Sequence, residues 1–353
     1  MATNNKLAKD SSLQSILLAN QSIAAAEQAR NTTLAAMLAE MKSRSTDIQA
    51  WKDAVLSLST ADKTALASAI YEVLGLNNSA QKSAQALPDI YAILDENSNS
   101  ENGAAIHNSL YRGINFGSDF TAEQQARIND GTFKGLWTGD HWTKSISFNY
   151  KNCQNSDAVT PVTETHKARI GDCNSLLRTG DTEDLTRNHL RVICDAPFFN
   201  ARMNATNITT GGYISCEMWT KYLDGALNAF KAFFGSDHIL KHRQLYTNAV
   251  TNGRASGWTW YDSYVDLLNE ATVYGGFHWA TGGNGTNVGY RGAIDKSQMA
   301  LFMYNPALIS TRFSWWLRDV VSAAGFAHVN SSGASTTTNA SNVLGVRPAC
   351  LIY

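Results

Sequence analysis

The sequence predicts an α+β fold, a helical coiled-coil-like N-terminal region followed by one large mixed domain. Three observations predict it. Residues 11–58 carry apolar positions at heptad spacing, and an Asn/Ser-rich stretch near 97–103 interrupts the chain. Beyond residue 106 aromatics and glycines become dense and helical periodicity turns intermittent. The expected divisions are a helical anchoring and oligomerisation region at 1–76, a linker at 77–105 and a domain at 106–353.

The seam has two columns, Leu13, Asn20, Glu27, Leu34, Met41, Ile48, Val55 and Ile16, Ile23, Arg30, Met37, Arg44, Trp51, Leu58. Ten of these fourteen positions are apolar. Asn20 inside it would set register and oligomer state, and alanines between the columns favour helix. An ordinary amphipathic helix packed on its own chain is the plainer alternative. Ser59-Thr60-Ala61-Asp62 resembles a capping box with Asp for Glu, opening a helix that Gly75 would stop. In the large domain, residues 120–131 read as a short helix ended by Asn-Asp-Gly, and 189–193 alternate like a strand. Residues 217–234 have helical apolar spacing up to Gly235, and 261–274 read as a second helix. Two helices among short strands and long loops give the α+β class.

Composition narrows the function. Lys plus Arg number 29 against 30 Asp plus Glu, so the chain has no basic field for nucleic acid or an anionic membrane. Only 17% of residues are charged, below the usual quarter or so, and Ser, Thr, Asn and Gly take their place. With 9 Trp, 13 Tyr and 13 Phe, the chain is too aromatic for disorder. No apolar run suits a membrane-spanning helix, and the polar start lacks a signal peptide's apolar core. Five scattered cysteines without a CxxC pair predict free buried thiols rather than a zinc site.

No catalytic constellation outweighs its structural alternative. His238 and His242 have the i, i+4 spacing of a zinc protease, but Ile239 stands where the general base belongs. Gly282-Gly-Asn-Gly285 lacks the strand and the Lys-Ser/Thr of a phosphate loop. Asp140 and His141 have no nucleophile elbow and read as a structural hydrogen bond. Asp262, Asp266 and Glu270 would share one helix face, which reads as solvated or capping. No metal and no cofactor are expected; calcium is left open, with no dense acidic cluster to mark a site.

The unusual feature is a stretch of 27 residues, 320–346, without a single Asp, Glu, Lys or Arg. Small hydrogen-bonding residues fill it, and Trp-rich and Arg-Pro segments enclose it. A polar hairpin is one reading. The functional one is a contact surface displayed on a rigid aromatic frame, where Ser, Asn and Gly adapt their hydrogen bonds and aromatics anchor.

Several blocks carry a family resemblance. They are Tyr111-Arg-Gly-Ile-Asn-Phe-Gly117, Gly139-Asp-His-Trp142, Met203-Asn-Ala-Thr-Asn207, Thr210-Gly-Gly-Tyr213, Gly253-Arg-Ala-Ser-Gly-Trp258, Trp315-Trp-Leu-Arg-Asp319 and Gly345-Val-Arg-Pro348. In this order, across 106–353, they resemble a phage and prophage domain found at the ends of tail fibres and other virion appendages. The resemblance implies a C-type lectin-like fold, shared with formylglycine-generating enzymes. In some members the last stretch is the variable region of a diversity-generating retroelement, which mutates adenines and so rewrites Asn codons.

On this resemblance the frame residues Trp316, Leu317, Arg318, Gly345, Val346, Arg347 and Pro348 are structural. The implied ligand contacts are Phe313, Ser314, His328, Asn330, Ser332, Ser335, Thr336, Thr337, Thr338, Asn342 and Leu344. The enzyme of that fold would need a pair of C-terminal cysteines, and only Cys350 follows Cys216. The expected function is therefore non-enzymatic: a virion protein, made in the host bacterial cytoplasm, that binds a bacterial surface glycan or protein through 313–350. The N-terminal helices would join other virion proteins and assemble a homotrimer, with no nucleic-acid partner and no membrane insertion. The alternative is a structural virion protein, a head fibre, neck or decoration component.

Overall fold

A computed structural model describes residues 22, 25, 28, 32, 35, 59, 90–181, 185–281 and 298–353. The chain divides into two compact units, Met1–Tyr91 and Ala92–Tyr353. In the first unit only Ser22, Ala25, Gln28, Thr32, Ala35, Ser59, Ile90 and Tyr91 are described, so the seam at 11–58 and the helix after Ser59 lie outside the described residues. The second unit carries the sheets.

Its first residues fall within the stretch expected as linker, 77–105, of which 77–89 lie outside the described residues. The Asn-rich stretch closes on itself: Asn99 Oδ1 accepts from the Glu101 and Asn102 amides, and Asn102 Oδ1 accepts from the Asn99 amide. Side chains that mimic turns make this composition compact rather than extended. Ser98 is buried, its hydroxyl donating to the Thr132 carbonyl at 2.5 Å. Short helices come next, α1 (Gly103–His107) and α2 (Ala122–Asn129), the latter opened by a capping box between Thr121 and Gln124.

The expected α+β class, a coiled-coil-like region ahead of a C-type lectin-like domain, is overturned by the strand content. The described residues build a mostly β architecture of curled sheets, with only short helices and no coiled coil among them. Strands β1 (His141–Asn152), β2 (Ala158–Cys173), β3 (Leu190–Cys194) and β4 (Phe199–Ala201) precede a π-helical turn, Met218–Tyr222, and helix α3 (Leu223–Phe234). Gly235, at φ 93°, ends α3 where the sequence placed its stop. Then come β5 (Ile239–Leu240), β6 (His242–Thr251), β7 (Arg254–Ser263) and β8 (Val265–Asp266).

The helix expected over 261–274 forms only at its end, since 261–263 and 265–266 are strand. Trp258, Trp260 and Tyr261 favour a pleated ribbon, paired in register with Thr247, Leu245 and Gln244 of β6. Helix begins only at α4 (Glu270–Tyr274), where the Asn269 side chain caps the Thr272 amide. The chain closes with α5 (Ala300–Tyr304), β9 (Trp315–Val320), β10 (Gly325–Val329), β11 (Ser335–Asn339), β12 (Leu344–Val346) and β13 (Ala349–Ile352).

A six-stranded sheet runs β1-β2-β3-β13-β5, with β8 also on β13, and a five-stranded sheet runs β11-β10-β9-β12-β4. The second sheet is covered on both faces. Alternate residues Trp316, Val320 and Phe326 enter one apolar cluster with Phe199, Tyr213 and Val346. Trp315, Leu317, Ala327 and Val329 enter another with Met299, Phe302 and Ile309. Two-sided burial explains why 315–317 reads Trp-Trp-Leu instead of alternating apolar with polar. None of the described helices is long and apolar enough to cross a membrane.

Candidate functional site

The neutral stretch folds into a hairpin whose two strands have opposite fates. β10 lies between β9 and β11 and is buried along its whole length. β11 is the edge strand, half-buried to exposed. Its register pairs Phe326 with Thr338, Ala327 with Thr337, His328 with Thr336 and Val329 with Ser335. Gly325 is required by that pairing, since a Cβ there would stand 2.4 Å from the Thr338 carbonyl oxygen.

The connecting turn is built on one side chain. Asn330 Oδ1 accepts from the Ser332 amide, the Ser332 hydroxyl and the Ala334 amide, at 3.0, 2.8 and 2.9 Å. Gly333 takes φ 89°, and its carbonyl accepts from the Tyr274 hydroxyl at 2.9 Å. The turn is thereby fixed at both ends rather than left loose.

The expected contacts divide into three groups. Phe313 (65% exposed), Ser332, Thr337 and Asn342 face solvent. Ser314, Asn330, Ser335, Thr336, Thr338 and Leu344 are half-buried. His328 is buried beside Trp316, and burial lowers its pKa, so it is a neutral core residue and not a contact. Phe313 and the turn share one end of the sheet, because Val329 pairs with both Trp315 and Ser335. Asn342 lies at the other end, hydrogen-bonded to the Thr338 hydroxyl.

The frame residues are all buried. Trp316 Nε1 donates to the Ala201 carbonyl at 2.8 Å, tying β9 to β4. Arg318 donates to Gln244 at 3.2 Å and lies over the Tyr246 ring. Arg347 Nε donates to the Cys194 carbonyl at 2.8 Å, its guanidinium 4.9 Å from the Trp315 ring centre. Burial pulls its pKa down to about 10, with Asp195 opposing. A Cβ on Gly345 would meet Pro197 at 2.5 Å, so only glycine fits against that ring.

The best-supported hydrogen-bond hub is one the sequence misplaced. Glu270 was expected on a solvated helix face and is fully buried. Its carboxylate accepts from the amides of His278 (3.1 Å), Trp279 (2.9 Å) and Ala280 (2.9 Å) and from the Ser335 hydroxyl (2.5 Å). A carboxylate so surrounded by donors is satisfied without a cation. It locks loop 275–281 to the edge strand, and Trp279 Nε1 adds a bond to the Ser335 carbonyl at 3.2 Å. Trp279 itself stays 50% exposed. Sequence reasoning missed it because nothing local marks a lone Trp in a loop. Asn339, also exposed, was legible as the next residue in the alternation Ser335, Thr337, Asn339.

The other candidate chemistry disperses. Asp262 pairs with Lys241 and Arg243 on the surface of the β6–β7 ribbon. Asp266 is buried against His242 at 2.5 Å and Gln244 at 2.9 Å, while His238 lies apart, beside Phe120 and Gln125. Asp140 accepts from Arg112 and from the Ile114 and Trp137 amides, a structural clamp. Gly282 to Gly285 lie outside the described residues. All five cysteines are free and buried, and no metal-ligand cluster occurs among the described residues.

Compared with known proteins, the chain matches no family model, no curated protein and no solved structure.

Proposed function

We propose that this chain is a virion-associated receptor-binding protein that attaches to a bacterial surface molecule through the β10–β11 hairpin. The observation that carries the reading is the hairpin's division of labour. β10 is core, so the display strand is held rigidly, while β11 and the Asn330 turn offer neutral hydroxyls and amides to solvent. Binding residues gain from such a fixed scaffold because less ordering entropy is lost on contact. The resemblance of the Trp315-to-Asp319 and Gly345-to-Pro348 blocks to phage appendage domains supports the same reading. Several copies on one particle would multiply weak contacts by avidity.

The test uses particles carrying the chain. Replacing Phe313, Ser332 and Thr337 together with alanine removes exposed side chains and leaves the core intact. The expected result is normal particles with at least tenfold slower adsorption to host cells. Unchanged adsorption overturns the reading, and failure to assemble particles replaces it with an architectural role.

A further inference from the structure

From the edge of β11 we infer a saccharide subsite, formed by the exposed face of Trp279 and the outward peptide groups at Thr337 and Asn339, and selective for neutral sugars. The inference rests on the receptor-binding reading and narrows its ligand from glycan or protein to glycan.

The alternation of hydrogen bonds along the hairpin fixes which groups are open. The bracketing pairs are bonded: the Asn330 amide donates to Ala334, and the Ala340 amide donates to Ala324. In an antiparallel ladder this turns the peptide groups of Thr336 and Thr338 toward β10 and those of Ser335, Thr337 and Asn339 outward. Two of the outward carbonyls are taken. Ser335 O accepts from Trp279 Nε1, and Asn339 O accepts from the Asn342 amide. Among the described residues, what stays open is the Ser335 amide, the Thr337 amide and carbonyl and the Asn339 amide, with the exposed Thr337 hydroxyl and Asn339 amide side chain beside them.

That short patch does not suit an added β-strand. Trp279 stands across the edge at Ser335, and the turned Asn339 carbonyl ends the ladder at the other side. Thr337 and Asn339 are two residues apart, about 6.8 Å along a strand, which gives room for one sugar ring and too few rungs for a peptide. The Trp279 N–H is spent on Ser335, so the indole offers its π face, the surface that packs against the C–H groups of a pyranose. The Glu270 bonds hold that ring in place before any ligand arrives, which lowers the ordering cost.

Selectivity follows from charge. No charged residue lies between 320 and 346, and the nearby Glu270 is fully buried with its oxygens occupied. Trp279, Thr337 and Asn339 themselves carry no charge to compensate a carboxylate or an ammonium, so uronic acids, sialic acids and amino sugars with free amines lose hydration without gaining a partner from them.

The experiment applies the full-length protein to an array of neutral saccharides (glucose, galactose, rhamnose and N-acetylglucosamine oligomers) with sialylated glycans as the acidic control. The strongest hit is then titrated by calorimetry. The expected result is binding to one or more neutral saccharides and none to the acidic set. Trp279→Ala should weaken the hit at least tenfold, Trp279→Phe less than fivefold, and Thr337→Val a few-fold, each with an unchanged melting temperature. Absence of any neutral hit, or affinity unchanged in Trp279→Ala, overturns the saccharide subsite. If adsorption of particles still falls when Phe313, Ser332 and Thr337 are replaced, the receptor reading survives that failure and its ligand is a protein.

Discussion

β10 and β11 pair residue against residue, yet one is interior and the other is surface. Gly325, Phe326, Ala327, His328 and Val329 are all buried, while their partners Asn339, Thr338, Thr337, Thr336 and Ser335 are half-buried or exposed. Both strands lack charge, for unrelated reasons. β10 lies between apolar clusters on its two faces, where an unpaired charge would be costly. β11 is neutral while half in water, where charge would cost nothing and would also guard the edge against unwanted pairing. Here Trp279 and the Asn342 amide limit the exposed rungs instead. Neutrality in β10 is a requirement of packing; in β11 packing does not require it.

The contrast makes measurable demands. The largest effect belongs to the frame: Trp316→Ala should cost about 3–5 kcal/mol in denaturant unfolding, since it empties a fully buried site and cuts the bond to Ala201. A loss under about 1 kcal/mol would show that the sheet is not the rigid support described. Next is acidification. Burial holds His107 and His189 at a pKa of about 4, below their usual 6.5. His189 Nε2 accepts from the Leu176 amide, so a proton there would face another donor. The native state therefore binds fewer protons than the unfolded chain below pH 6.5. Stability is whole above that pH and is lost as pH falls toward 4, by about 2 kcal/mol for each histidine at pH 5. Melting temperatures at pH 7.5 and 5.0 read this directly, and equal values would contradict it.

Smaller is Glu270→Ala, which strands three loop amides and the Ser335 hydroxyl. It should cost about 1–3 kcal/mol and speed hydrogen exchange at the His278, Trp279 and Ala280 amides. Unchanged exchange would mean the loop is held by something else. Smallest is Thr337→Val on the exposed edge, expected within about 0.5 kcal/mol of the parent in thermal unfolding. A clear destabilisation would place β11 with the frame and erase the contrast.

How much of the molecule was legible in the sequence depends on the range of the interactions. Locally coded elements were read well: the short helix over 120–131 and the stop at Gly235. The helix expected over 261–274 forms only at 270–274, because its apolar residues satisfy either period and the pairing of Tyr261, Asp262 and Ser263 with Gln244, Arg243 and His242 decides for strand at its start. In the Asn-rich stretch the side chains bond to their own backbone, which composition does not reveal. In the candidate site, the exposed Thr337 and Ser332 followed from the texture of the stretch. His328 could not be placed without knowing that β10 is flanked on both sides, and Glu270 could not be assigned without its partner Ser335, far along the chain.

The strand order of the larger sheet has a consequence in time. β13, the last of its strands in the chain, sits inside it, between β3 and β5 and against β8. While the protein is being made, β1, β2 and β3 emerge with one edge unfilled and stay so until Ala349–Ile352 arrive. The sheet is thus completed by its latest-made strand, from contacts distant in sequence, which makes folding slow and leaves the nascent chain exposed to misassembly until synthesis has passed residue 352.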